Sequence, residues 1–342
     1  MPDDRLQKRR EKWTDFLNRG ACKTIVLVHY TDSHFPPRPW PYRELRKERV
    51  EWAARNYFRQ SETTEWLDDD ALPYAAPYTG TEIFAESLGC KVYCSGDNMP
   101  FALPCIQEAA QIKNIKRPRI EDSSLYEIFE LAYALRGKVG AEALIQLPDI
   151  QSPVDIAALV WQKERFLMAM LDDPPAVHEL ISITERLLTD FLDLWFREFG
   201  TKYIAHYPDY YMEGGFTFSE DEAGEFSADL FREFCLPSIN RLSDRYGGCA
   251  MHCCAYAKHQ WECFKEIRGL KLLNLCQPAD VLTDAVNFFG ADVCHWHIPG
   301  NINQNEFYKW TEACTAEAPI VLEAWAATRD EAIELSRRLK MM

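Results

Sequence analysis

A chain of 342 residues, 47% hydrophobic and 13% aromatic, can bury a large core as one barrel-sized domain or two smaller ones. Its formal net charge of −15 argues against nucleic acid as a partner, because phosphate binding draws on clustered Lys and Arg, and the basic stretches here are short and sit beside acids. No run approaches the roughly 20 apolar residues that span a bilayer, and the start, MPDDRLQKRREKW, lacks the apolar core of a secretory signal, so a cytoplasmic protein without a membrane partner is expected, its 12 cysteines reduced.

The first twenty residues read as a polar helix with Trp13, Phe16 and Leu17 on one face. Thr24 to His29 is a short, mostly β-branched run of the kind that forms a buried parallel strand. HFPPRPWPYREL, with its four prolines, is a loop or lid, and residues from about 60 to 110 read as a helix-poor cap or short hairpins. From Leu125 the pattern is regular. A helix over Ser124–Arg136, a strand over Ala143–Leu147 and a short helix over Pro153–Trp161 lead to a long amphipathic helix opened by Pro174. Its stripe runs through Val177, Leu180, Ile181, Thr184, Leu187, Leu188, Phe191 and Leu194, with Asp172-Asp173 as capping residues. Strand-like runs follow at Tyr210–Gly214, Gly248–His252, Leu270–Leu275, Asp292–His295 and Pro319–Glu323, before a helix opened by Thr328.

Strand and helix alternating over some 200 residues indicates a parallel sheet covered by helices. No G-x-G-x-x-G follows an early strand, and eight βα units take about 250 residues, so the expected fold is an α/β (β/α)8 TIM barrel with an N-terminal extension or cap. Residues 1–120 hold that extension, the proline-rich lid and the first barrel elements; residues 121–342 complete a single barrel.

Active sites of such barrels form at the C-terminal strand ends, which here carry carboxylates, imidazoles and thiols. Tyr210–Gly214 delivers Glu213, with Asp221 in the loop beyond; these two are the candidate acid or substrate-contact groups. In His252-Cys253-Cys254, residues i and i+2 share one face, so His252 and Cys254 can supply nitrogen and sulfur to zinc while a third ligand comes from another strand. Packing as an ordinary buried histidine and thiol is an equal reading of that spacing alone. His295 and His297 flank Trp296 and are candidates for substrate or cofactor contact. Cys22, Cys90, Cys105, Cys235, Cys263 and Cys314 read as packing residues.

The runs QLPDIQSPVDIAALVWQKERFLMAMLDDPPAVHELI and SEDEAGEFSADLFREFCLPSINRLSDRYGGCAMHCC, and the turn DVCHWHIPGNIN, resemble the uroporphyrinogen decarboxylase-like superfamily over roughly residues 125–335. The Arg-rich R-Q-A-G-R stretch with which the decarboxylase grips a tetrapyrrole is absent, so the resemblance points to the corrinoid-dependent methyltransferase branch. It implies methyl transfer between a corrinoid protein and a small acceptor, a thiol or tetrahydrofolate. His252 and Cys254 fall on that branch's zinc-binding H-x-C, and Asn301 on its Gly-Asn turn. The last strand departs from the pattern: IVLEAWA carries Glu323 where a cysteine ligand is expected, leaving Glu323 or Cys276 as the third ligand. Trp40, Tyr78, Trp296 and Trp325 are candidates to receive a methylcobalamin face. A decarboxylase or lyase for a smaller carboxylated substrate, and a non-catalytic ligand-binding barrel, are the alternatives.

Overall fold

The computed structural model describes residues 2–96, 98–300, 304–315 and 318–342. Eight parallel strand positions form the barrel: Thr24–Tyr30, Tyr74–Ala75, Leu144–Ile145, Phe216–Ser219, Cys249–Cys253, Leu270–Leu275, Cys294–His295 and Ile320–Ala326, first to eighth. The fourth to eighth lie side by side in chain order, and the eighth pairs with the first over seven residues, Thr24↔Ile320 to Tyr30↔Ala326. The second pairs with the third. The third reaches the fourth through Ser219 N–H on Ile150 O (2.9 Å) and Ser152 N–H on Ser219 O (2.8 Å).

The ring closes differently between the first and second strands. Asp70 N–H donates to Val26 O (2.8 Å), but the amides of Val26 and Val28 donate to the carboxylates of Asp70 (2.7 Å) and Asp69 (3.1 Å). Behind the seam, the helix Pro2–Leu17 brings Lys12 to Asp70 (2.5 Å) and buried Arg9 to Asp69 (3.3 Å), while Trp13 Nε1–H donates to Asp70 O (2.9 Å).

Helix placement follows the apolar periodicity. Every residue of the stripe expected on the long helix is buried in Pro174–Phe199, where Phe191 and Trp195 meet Phe129 at ring distances of 5.2 and 5.3 Å. Asp173 occupies the N-cap of that helix without a side-chain cap bond. Ser152 does cap Pro153–Val160, accepting from Val154 N–H and Asp155 N–H. Thr328 caps Arg329–Leu339 through Glu331 N–H.

Two expectations change. A 21-residue helix, Arg46–Trp66, precedes the cap region; it buries only Val50, Ala53 and Ala54, a stripe too thin to stand out in sequence. Tyr210–Gly214 is not a barrel strand. Tyr211–Glu213 runs antiparallel to Lys202–Ile204 as a hairpin, and the barrel strand is Phe216–Ser219, just past Gly214-Gly215. Both glycines have positive φ (70° and 75°), and a Cβ on Gly215 would lie 2.8 Å from Gly248 O, so that turn requires its glycine. No described helix is long and apolar enough to cross a membrane.

Candidate active site at the barrel mouth

The fifth and sixth strands pair in register, Asn274↔His252, and this sets the chemistry of the histidine. The Asn274 side-chain amide donates to Trp296 O, so its oxygen faces His252 Nδ1 at 2.5 Å. That nitrogen must carry the proton. Nε2 keeps its lone pair, the state a metal ligand requires.

Cys254 lies one residue past the strand end and is held on both sides: its N–H donates to Asp221 Oδ1 (2.6 Å) and its carbonyl accepts from Gln277 (2.9 Å). Asp221 is positioned in turn by Asp155, in the first turn of Pro153–Val160, whose carboxylate accepts from the amides of Asp221 (2.7 Å) and Glu222 (3.0 Å). Burial pushes neighbouring Glu220 up to about 7. The result is a convergence of oxygen, nitrogen and sulfur: one ligand atom each from Asp221, His252 and Cys254 lies within 4.8 Å of the others. Burial and the adjacent Asp221 carboxylate push the Cys254 thiol up to about 12.

Asp221 is therefore the third member of the group, in place of Glu323 or Cys276. Glu323 is buried on the eighth strand and takes hydrogen bonds from His29 and Trp296, both at 3.2 Å. Cys276 packs by the hydroxyl of Tyr207 (4.0 Å), whose ring stands edge-on to His252 at 4.8 Å. Glu213 is remote from this chemistry, because the hairpin arm runs the other way; it pairs with Lys202 (3.3 Å) and lines a shallow surface hollow with Arg10 and Thr14 of the N-terminal helix.

His295 and His297 are buried and saturate each other. Leu275 N–H donates to His297 Nδ1 (3.2 Å), which leaves the His297 proton on Nε2 to donate to His295 Nδ1 (2.9 Å). The His295 proton then sits on Nε2 and donates to Gly290 O (2.9 Å). No ring nitrogen remains for a ligand. Asn301 lies outside the described residues. Burial lowers His295 to about 4 and, with the His295 charge, lowers His297 as well. An unfolded histidine takes up its proton near 6.5, so below that pH the unfolded chain binds more protons than the folded one. Stability should therefore be full above pH 6.5 and fall as pH drops toward 4, by up to about 3 kcal/mol for His295. Urea unfolding of wild type against His295→Gln checks this: the gap should shrink on acidification, and a gap independent of pH would refute the neutral relay.

A cavity of about 490 Å³ opens at the end of the first strand, and none of Asp221, His252 and Cys254 lines it. Its walls are the end of the first strand, the proline-rich loop, one face of Arg46–Trp66 and the approach to the second strand. Trp325, half-exposed, stacks on His29 (5.2 Å), and the Arg38 guanidinium lies 3.5 Å over the Tyr78 ring. Trp296 is instead buried against Trp13 and Tyr210, closing the core. Asn274, Asp155 and Arg59 escaped the sequence reading. For Asn274 a signal exists: it is the one amide in an otherwise apolar strand end, LLNL.

The same architecture is known elsewhere. Residues 75–331 match the uroporphyrinogen decarboxylase (URO-D) family. The chain belongs to it. Among solved structures, a methyltransferase from Methanosarcina mazei superposes with a TM-score of 0.68 at 12% identity, over 97% of this chain and 98% of that one. At that identity the likeness carries the URO-D barrel fold, which the ring of strands described above displays. No curated protein matches the chain.

Proposed function

We propose that this URO-D family member is a methyltransferase that moves a methyl group between a corrinoid protein and a small acceptor, a thiol or tetrahydrofolate, with Asp221, His252 and Cys254 holding a zinc ion. The convergence of these three groups carries the reading. The name of the Methanosarcina mazei structure agrees with it.

The donor set fits zinc, which takes sulfur, nitrogen and carboxylate oxygen in fours and keeps one position open in catalytic sites. Zinc there would supply Lewis acidity, holding a thiol as the thiolate that attacks carbon. The protein's own part is positional. Asn274 fixes the His252 tautomer, and Asp155 holds the loop that carries Asp221. A corrinoid substrate would supply the methyl group and keep the bonding pair as the acceptor's lone pair bonds to carbon, and an acceptor thiol would give up its proton to solvent.

Replacing Asn274 by Ala frees the imidazole to rotate and change tautomer. Zinc affinity should fall about 10–100-fold, measured by chelator competition, with folding retained.

The direct test of function uses free methylcobalamin with a thiol or tetrahydrofolate, followed by the spectral change of the corrinoid. Protein-dependent demethylation, lost in Cys254→Ser, is expected. A second reading, a lyase for a carboxylated substrate, has one observation in its favour: Arg38 and Arg59 line the cavity without a carboxylate partner within 4.0 Å among the described residues. Absence of methyl transfer together with carbon dioxide release sensitive to Arg59→Ala would favour it.

A further inference from the structure

Away from the mouth, the short strands Lys91–Tyr93 and Phe101–Leu103 pair as the antiparallel arms of a hairpin in the register Lys91↔Leu103. A cysteine stands on either side of its base. Cys90 precedes the first arm and is buried; Cys105 follows the second and is partly exposed. Their sulfurs lie 3.4 Å apart, and the backbone on each side is hydrogen-bonded. Cys90 N–H donates to Ala85 O (3.0 Å), while the amides of Cys105 and Ile106 both donate to Val160 O (3.0 and 3.1 Å). A disulfide bond of about 2.05 Å needs a closure of little more than an ångström from this separation.

The two thiols are not equivalent. Cys90 S–H donates to Cys105 Sγ, which brings Cys105 down to about 7 and drives Cys90 up. Ionisation thus favours the sulfur nearer solvent, and the buried thiol stands behind it. That is the arrangement of an attacking and a resolving cysteine. Packing alone requires neither the pairing nor this asymmetry.

We infer that Cys90 and Cys105 form a reversible dithiol–disulfide couple, oxidised by a hydroperoxide, that staples the base of the 91–103 hairpin. The Cys105 thiolate attacks one peroxide oxygen; the O–O bond breaks, leaving Cys105 as sulfenic acid and releasing hydroxide, which takes a proton to become water. Cys90 sulfur then attacks the Cys105 sulfur, the S–O bond breaks, and the hydroxyl leaves as a second water with the Cys90 proton. Two thiols and one peroxide give one disulfide and two waters. The inference stands apart from the methyltransferase reading, since neither sulfur belongs to the metal-binding group.

The test treats the intact protein with equimolar hydrogen peroxide and maps its peptides by mass spectrometry. A single 90–105 cross-link lacking two hydrogens, reversed by dithiothreitol, is expected. In Cys90→Ser, dimedone should capture Cys105 as sulfenic acid, since the thiol that would resolve it is gone. In Cys105→Ser no cross-link should form and Cys90 should stay unlabelled. Thermal unfolding of each variant checks that the fold persists, and the wild-type map needs no variant. Peroxide that leaves both thiols free for alkylation, or a cross-link elsewhere, overturns the couple.

Discussion

Cys254→Ser purified without added metal should hold less than about a tenth of the zinc of the wild-type chain, with methyl transfer to a thiol down about a thousandfold or more. The expectation is steep because the proposed zinc site offers only three protein groups, and removing sulfur leaves an imidazole and a carboxylate. His252→Ala should do the same, and Asp221→Asn should fall between them, since an amide oxygen ligates more weakly than a carboxylate. Elemental analysis reads the metal and the corrinoid spectrum reads the activity. Equal zinc in wild type and both of the first two variants would place the metal elsewhere. Zinc lost while thiol methylation continues would separate metal from chemistry.

Asp69→Ala should be the most damaging single change to folding, lowering stability by about 3–5 kcal/mol. Its carboxylate is buried and does three things at once. It faces Arg9, accepts from Val28 N–H across the seam and accepts from Ala71 N–H (3.2 Å). Arg9 is buried too and keeps its bonds to the carbonyls of Ala71 and Leu67 (2.6 Å each), so the truncation strands a positive charge rather than releasing it. Denaturant unfolding measures the loss. A cost near 1 kcal/mol would mean that water reaches Arg9 and that the seam is looser than drawn here.

The elements that were legible in sequence are those whose own periodicity carried the signal. The long helix from Pro174 announced its stripe, and the i, i+2 spacing of His252 and Cys254 put both at one strand end. What failed was orientation. Tyr210–Gly214 and Phe216–Ser219 are both short apolar runs, separated by two glycines, and nothing in either says which one is parallel to the barrel. Choosing the first carried Glu213 to the wrong side of the molecule. Glu323 was placed correctly at a strand end, but sequence cannot show that His29, nearly three hundred residues earlier in the chain, shares its Oε2 with Trp296, leaving the buried Oε1 without a hydrogen bond among the described residues. His295 and His297 do share a face, as alternation requires; they face each other. Asp221 stands beside His252 and Cys254 because its loop is fixed by Asp155, a contact across 66 residues that no local pattern encodes.

The carboxylates at the seam give this barrel a titratable wall. Elsewhere an amide of the ring is shielded from exchange by a carbonyl, whose acceptor strength hardly depends on pH. At Val26 and Val28 the shield is an acid, and burial raises Asp69 above its ordinary range. Proton uptake at Asp69 changes the acceptor that Val28 N–H uses, while leaving the seven-residue ladder on the other side of the first strand untouched. Asp69 also lines the cavity. The pocket thus has one wall whose hydrogen bonding responds to protons and another, the ladder, whose hydrogen bonding does not.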